Sequence, residues 1–140
     1  MAAIPLNIDE QLLRDEGYRT TVYADSRGIP TIGVGRNLRD VGLSASEVQF
    51  LLDNDIKKVQ TALQPFAWYA GLDSVRQGAI QNMAFNLGVE GLLHFPHFIA
   101  YLARQDWQSA ANELQNSLWY SQVGDRAKRL QEQILTGIWQ

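Results

Sequence analysis

The stretch that decides how this 140-residue chain reads is Leu13-Arg14-Asp15-Glu16-Gly17-Tyr18, continued by Ala24-Asp25-Ser26-Arg27-Gly28-Ile29-Pro30-Thr31-Ile32-Gly33-Val34-Gly35. A helical pattern ends here in a carboxylate, and a short hairpin brings back a second carboxylate and a hydroxyl. At 100° per residue from Ile8, Leu12 and Leu13 define one helix face and Glu16 falls near its middle, with Glu10, Gln11 and Arg14 on the other side. The expectation is a carboxyl on the buried side of the helix, where lost hydration favours the neutral form that a general acid needs. Taken singly, each residue has an ordinary reading: Glu16 a surface acid, Asp25 a turn former, Thr31 a β-branched strand residue. Together they spell E-x8-D-x5-T across a helix–hairpin boundary, placing two carboxylates and a hydroxyl on facing walls. That is the inventory for hydrolysing a glycosidic bond: an acid for the leaving oxygen, a base, and a hydroxyl to place water.

Outward from this stretch the chain is mostly helical. Asn7 is an N-cap with Glu10 three residues on, and Gly17 closes the first helix. Thr20–Tyr23 and Ile29–Val34 read as paired strands about the turn at Gly28. Gly33 and Gly35 leave the strand end bare, so backbone there can approach a ligand closely, the plain alternative being a bulge. Residues 36–42 read as a short loop. Ser44-x-x-Glu47 starts a long helix over about 44–63, carrying Val48, Leu51, Leu52, Ile56, Val59 and Leu63 at helical spacing and ended by Pro65. From Asp73 everything is helical. Val75, Ala79, Ile80, Met83, Ala84 and Leu87 form a wide apolar face before Gly88, as in a buried central helix. Shorter helices follow over about 96–105 and 107–117, then a turn at Trp119-Tyr120 and a last helix from Asp125 to Thr136. Arg126 precedes Leu130 by four and leans inward; an inward arginine is ordinarily an ion-pair partner, here expected of Glu16.

The fold class is therefore α+β, mostly helical, in a single domain of 140 residues with two lobes sharing a cleft. Hydrophobic residues at 46% and charged residues at 19% describe a globular chain. A net charge of −3 argues against a dedicated nucleic-acid binder. There is no cysteine, so neither disulfides nor thiol chemistry are available. Met1-Ala2-Ala3-Ile4-Pro5 lacks a basic region followed by a long apolar run, so neither a signal peptide nor a membrane span is expected. His94 and His97 flank Phe95-Pro96, and zinc is the sharp reading; no third ligand has metal-site spacing, so no metal and no cofactor are expected. The four tryptophans are expected in the core, although any could stack on a sugar. A single-cleft enzyme needs no partner, so a monomer is expected.

Several blocks resemble the phage lysozymes of the T-even type. Arg14-Asp15-Glu16-Gly17, Tyr23-Ala24-Asp25 and Thr31-Ile32-Gly33-Val34-Gly35 carry the likeness in the first half. Val75-Arg76, Asn82-Met83, Phe85-Asn86-Leu87-Gly88, Trp119-Tyr120, Arg126-Ala127-Lys128-Arg129 and Thr136-Gly137-Ile138-Trp139 carry it in the second. Any one block is loose; their order and spacing make the match specific. The resemblance implies a lysozyme-like fold with a small β-hairpin lobe over about 18–43, a connecting helix over about 44–63, and a helical lobe from about 1–17 and 66–140. It implies a muramidase, an endolysin-type glycoside hydrolase that cuts the β-1,4 bond between N-acetylmuramic acid and N-acetylglucosamine in peptidoglycan glycan strands, with inversion. Glu16 is then the general acid, and Asp25 orients or activates water with Thr31. Arg126 holds Glu16, while Phe85, Asn86 and the Gly35 backbone line the sugar cleft. It also implies synthesis in the host cytoplasm and access to the periplasm at lysis through a holin-like pore. Two alternatives stand beside it: a lytic transglycosylase, which needs only the acid, and a non-catalytic wall-binding or structural domain. Asp25 and Thr31 in register favour hydrolysis.

The chain also departs from the family pattern. Arg36 stands where the family commonly has His, and an Arg36–Asp55 ion pair is the expected replacement, anchoring hairpin to helix. Asn86 is often Gln in relatives. The segment from Gly35 to Ser44 is short, so the small lobe should be little more than the hairpin. With a sequence pI near 5.3, attraction for an anionic wall is expected to be weak overall or confined to a local patch such as Arg126, Lys128 and Arg129.

Overall fold

A computed structural model of the chain describes residues 3–5 and 7–140. Met1 and Ala2, which open the stretch read for a leader, lie outside the described residues, as does position 6. The described residues form eight helices and one three-stranded antiparallel sheet, the mostly helical α+β class expected. By contact density the chain divides into two compact units, residues 1–50 and 51–140.

The first unit opens with helix α1, Ile8–Glu16. Asn7 caps it as expected, its Oδ1 accepting the Glu10 N–H at 2.9 Å. Gly17 at φ +80 ends it, a conformation that costs glycine little, and its N–H donates to Leu13 O. One expectation is corrected here: α1 buries no residue, and Leu12 and Leu13 are 44% and 42% exposed. Helical period fixes which side is apolar, but not whether anything covers it. Leu12 and Leu13 share only a shallow hollow with Asp9 and Val34.

Strands β1, Arg19–Ala24, β2, Pro30–Gly33, and β3, Arg36–Asn37, follow in sheet order β1-β2-β3. Tyr23 pairs with Thr31 and Ala24 with Pro30, whereas Arg19 pairs with Gly33. Thr20, Thr21 and Val22 therefore stand opposite Ile32 alone, an irregularity of the bulge kind that twists β1. Strand β3 replaces the start of the expected loop; two residues are too few to show alternation. Ser44 starts the long helix α2, Ala45–Leu63, through a complete capping box. Its Oγ accepts the Glu47 N–H at 3.2 Å, and Glu47 Oε2 accepts the Ser44 N–H at 3.1 Å.

The second unit, which includes the end of α2, holds the hydrophobic core. Its helices are α3, Ala67–Ala70; α4, Ser74–Leu93; α5, Pro96–Ala103; α6, Trp107–Gln115; α7, Leu118–Val123; and α8, Asp125–Thr136. Helix α4 breaks at Gly88, whose φ of 76° and ψ of 157° are not helical, matching the stop read there. Pro96 opens α5 at a first-turn position where its missing N–H costs nothing. The expected turn at Trp119-Tyr120 is instead the short helix α7, capped by Ser117, whose Oγ accepts the Tyr120 N–H. Six residues are too few for a periodic signal.

Ile80 and Met83 from α4, Phe98 and Leu102 from α5, Leu114 from α6, and Ile134 from α8 are fully or almost fully buried in one cluster. Each such side chain contributes on the order of 1.5–3 kcal/mol by leaving water. Trp119 is buried and Trp68 and Trp107 pack against the cluster as expected, but Trp139 is 63% exposed. Arg76 ties three of these helices together. Nε donates to Ile134 O at 2.7 Å and Nη2 to Leu135 O at 3.2 Å, Nη1 pairs with Asp73 at 2.9 Å, and the guanidinium lies 4.0 Å over the Trp107 ring. It fills the orphan carbonyls at the end of α8, where a cation also suits the helix dipole.

Candidate active site

The turn between β1 and β2 is built around Asp25. Gly28, at φ +77, lets the chain reverse, and its N–H donates to Asp25 O. The Asp25 carboxylate folds back over the same turn: Oδ1 accepts the Arg27 N–H at 2.8 Å and the Ile29 N–H at 2.9 Å. Among the described residues Oδ2 has no hydrogen bond and stays open. The Ile29 N–H holds this carboxyl below the usual carboxylate range against some loss of hydration, with help from the Arg27 N–H and the charges of Arg27 and Arg39. It is an ionised carboxylate with one oxygen anchored and one available, which suits a base. Thr31, two residues beyond Ile29 in β2, is 3% exposed and donates its hydroxyl to Ile29 O at 2.8 Å. Its oxygen lone pairs are left to accept from water. One backbone residue, Ile29, thus anchors both side chains: its N–H holds Asp25 and its carbonyl holds Thr31.

Glu16 closes α1 and is exposed, so the burial expected of it is absent for the same reason as at Leu12 and Leu13. Its carboxyl lies beside the Val34-Gly35 turn between β2 and β3. A Cβ built on Gly35, at φ +65, would stand 2.6 Å from Glu16 Oε2. No described residue would come within 4 Å of a Cβ on Gly33, so of the two glycines only Gly35 lies against Glu16.

The expected Arg36–Asp55 pair is not the one formed. Arg36 grips Glu47 with two parallel bonds of 2.8 and 2.9 Å and donates a third to Gly42 O at 3.2 Å. Glu47 stands in the first turn of α2, already held by the Ser44 N–H, eight residues before Asp55. The Arg36 guanidinium, followed by the Ser44 N–H, keeps the Glu47 carboxyl below its ordinary value.

In the second unit Phe85 and Arg126 line one hollow of about 260 Å³ with Leu52, Ile56, Gln81 and Trp139. Arg126, expected to pair with a carboxylate, donates Nε to Asn82 Oδ1 at 2.8 Å and Nη2 to Asn82 O at 3.1 Å. Asn86 lies outside that hollow. Its Oδ1 accepts the Trp119 indole N–H at 2.9 Å, so of the amide expected to line the sugar cleft the NH2 remains. Sequence reasoning missed Asn82 as the holder of Arg126; 44 residues separate them, and no local pattern signals such a pair. His94 and His97 line another hollow, of about 300 Å³, with Glu113 and Trp119. Among the described residues no three or more His, Cys, Asp or Glu side chains are grouped to hold a metal ion, and no helix is long and apolar enough to cross a membrane.

Comparison with known proteins agrees in extent. The family model described as phage lysozyme matches residues 14–133. The chain is 31% identical over 94% of its length to the pre-baseplate central spike protein Gp5 of Enterobacteria phage T4, of which it spans 28%. It is 29% identical, again over 94% of its length, to a probable T4-type lysozyme 1 of Dictyostelium discoideum, spanning 95% of that protein. An endolysin of Salmonella phage P22 is 33% identical over 63% of this chain, which spans 65% of that endolysin.

Proposed function

Because the chain belongs to the phage lysozyme family, we propose that it is a peptidoglycan-cleaving lysozyme hydrolysing the β-1,4 bond between N-acetylmuramic acid and N-acetylglucosamine with inversion. The observation that carries this reading is the Asp25 carboxylate, ionised, anchored through Oδ1 and open at Oδ2, on the same hairpin as the buried Thr31 hydroxyl. Glu16 gives its proton to the glycosidic oxygen as the bond to the anomeric carbon breaks. Water held by Asp25 and Thr31 attacks that carbon from the opposite face, and Asp25 Oδ2 takes the proton the water sheds. The products are two sugar ends, the new one with inverted configuration. Gly35 in the first unit is assigned a sugar contact through its backbone. Phe85, Asn86 and Arg126 are assigned sugar contacts in the second, Asn86 through its NH2.

The whole chain is read as one lysozyme domain that acts as a monomer on glycan strands. In bacterial lysis it would work as an endolysin, made in the host cytoplasm and admitted to the periplasm by a holin-like pore. The likeness to a spike protein supports a second setting, the same domain carried in a virion. Mass spectrometry of digested peptidoglycan tests the chemistry. A free reducing N-acetylmuramic acid end supports the reading; a 1,6-anhydro end assigns a lytic transglycosylase. No cleavage by the wild type, or equal cleavage by Glu16→Gln, removes it.

A further inference from the structure

The first unit contains five glycines with positive φ: Gly17, Gly28, Gly33, Gly35 and Gly42. At four of them an added Cβ would crowd no described residue. At Gly17, Gly28 and Gly33 nothing among the described residues would lie within 4 Å of an added Cβ, and at Gly42 the nearest atom is Leu38 O at 3.8 Å. Gly35 differs. There a Cβ would stand 2.6 Å from Glu16 Oε2, 3.0 Å from its Cδ and 3.3 Å from its Cβ, so a methyl group and the Glu16 carboxyl exclude each other. The space a side chain would fill at 35 is the space the carboxyl occupies.

The turn carrying Gly35 is held from both sides. Behind it Ile32 pairs with Arg36 and Thr31 with Asn37 in the β2–β3 ladder. Ahead of it the Arg36 guanidinium is fixed by two bonds to Glu47 and one to Gly42 O, and Glu47 is fixed in turn by the capping box of α2. An exposed glutamate at a helix end is otherwise free to turn about three side-chain bonds. A rigid wall at van der Waals distance removes the rotamers that point through it.

We propose that Gly35 is a positioning residue for Glu16, its bare backbone setting where the carboxyl lies, and that the Arg36–Glu47 clamp keeps this wall in place. The proposal rests on the assignment of Glu16 as the acid. It gives Gly35 a task separate from sugar contact: a sugar contact acts through KM, whereas a displaced acid acts through kcat. A misplacement of about 1 Å costs on the order of 100-fold in rate.

The test pairs Gly35→Ala with Gly33→Ala, since the two positions share nearly the same φ, +65° and +67°, and hence the same backbone penalty. Expected for Gly35→Ala on soluble peptidoglycan fragments is a fall in kcat of about 100-fold with KM within about twofold. Gly33→Ala should show a similar loss of thermal stability but a kcat within about threefold of wild type. Equal kcat losses in the two variants, or a rise in KM alone for Gly35→Ala, overturn the proposal.

A second readout needs no catalysis. The carboxyl 13C shift of Glu16 should move in Gly35→Ala and stay at its wild-type value in Gly33→Ala; no movement in either overturns the positioning role. Should Glu16→Gln stay active, the acid assignment fails by itself, and this signal still judges the contact. Should Gly35→Ala not fold, Glu47→Gln decides. It loosens the wall without touching Glu16, and is expected to lower kcat several-fold at constant KM; an unchanged kcat overturns the clamp.

Discussion

The two units are held by different physics. In residues 51–140 a cluster of buried side chains from α4, α5, α6 and α8 supplies the cohesion, and polar groups such as Arg76 fill gaps at helix ends. In residues 1–50 only Ile29 and Thr31 are buried among the described residues. There the shape is kept by capping, an Asx-type turn, a strand ladder and one bidentate ion pair. The residues assigned to the chemistry sit in the unit with the least core. A site built from backbone hydrogen bonds can lose its chemistry with little loss of stability, whereas a site built on packing cannot.

This contrast can be broken by mutation, and the largest expected effect is catalytic. Asp25→Asn preserves an acceptor for the Arg27 and Ile29 N–H groups, so the turn should survive while the carboxylate proposed as the base is lost. Its turnover should fall by about 10²–10⁴-fold. The exposed Glu16→Gln should fall similarly, and its folding stability should stay within about 0.5 kcal/mol of wild type by urea unfolding. A large drop in stability for either would mean the first unit is held by these side chains after all.

The mirror-image change is Phe98→Ala. It removes a fully buried ring and should cost about 3–5 kcal/mol of global stability, with kcat unchanged in the fraction that remains folded. Arg76→Met comes next. It leaves the Ile134 and Leu135 carbonyls without their donor and should cost about 2 kcal/mol, read as a lower thermal midpoint.

The smallest effect sharpens the contrast through pH. Glu47 is held below its ordinary value in the folded chain, so its stabilising contribution is present above that ordinary value and is lost as pH falls through the lowered one. Hydrogen exchange of the hairpin amides should therefore be faster in Glu47→Gln than in wild type at neutral pH, and the two should converge in acid. Divergence that persists in acid would remove the Arg36–Glu47 pair as the cause, since arginine does not titrate there.

How much of this could be read in the sequence follows the same division. Signals carried within four or five residues were legible: the Asn7 cap, the Ser44–Glu47 box, the Gly88 break, Pro96 at a helix start, and Asp25 as a turn former. The ordered blocks from Glu16 to Trp139 placed the family. What failed needed knowledge of a distant neighbour. The stripe on α1 named a side but not a cover, so the expected burial of Glu16 did not follow. The expected Arg36–Asp55 pair follows from the family pattern of an acid on the long helix, which does not say which acid; Glu47, already tethered at the helix start, is the one in reach. The amides of Asn82 and Asn86 carry no periodicity, and their partners Arg126 and Trp119 lie 44 and 33 residues away.

The Glu47 carboxylate has a lasting effect on which sequences this hairpin can accept. It receives the Ser44 N–H as well as both arms of Arg36, so its role is asymmetric. Exchanging the two charges would restore an attraction between positions 36 and 47, yet an arginine at 47 has no atom that can receive the Ser44 hydrogen. A swap of the two charges is therefore closed to this hairpin: position 47 needs an acceptor for the Ser44 hydrogen, and the two-bond grip of Arg36 needs both oxygens of a carboxylate there.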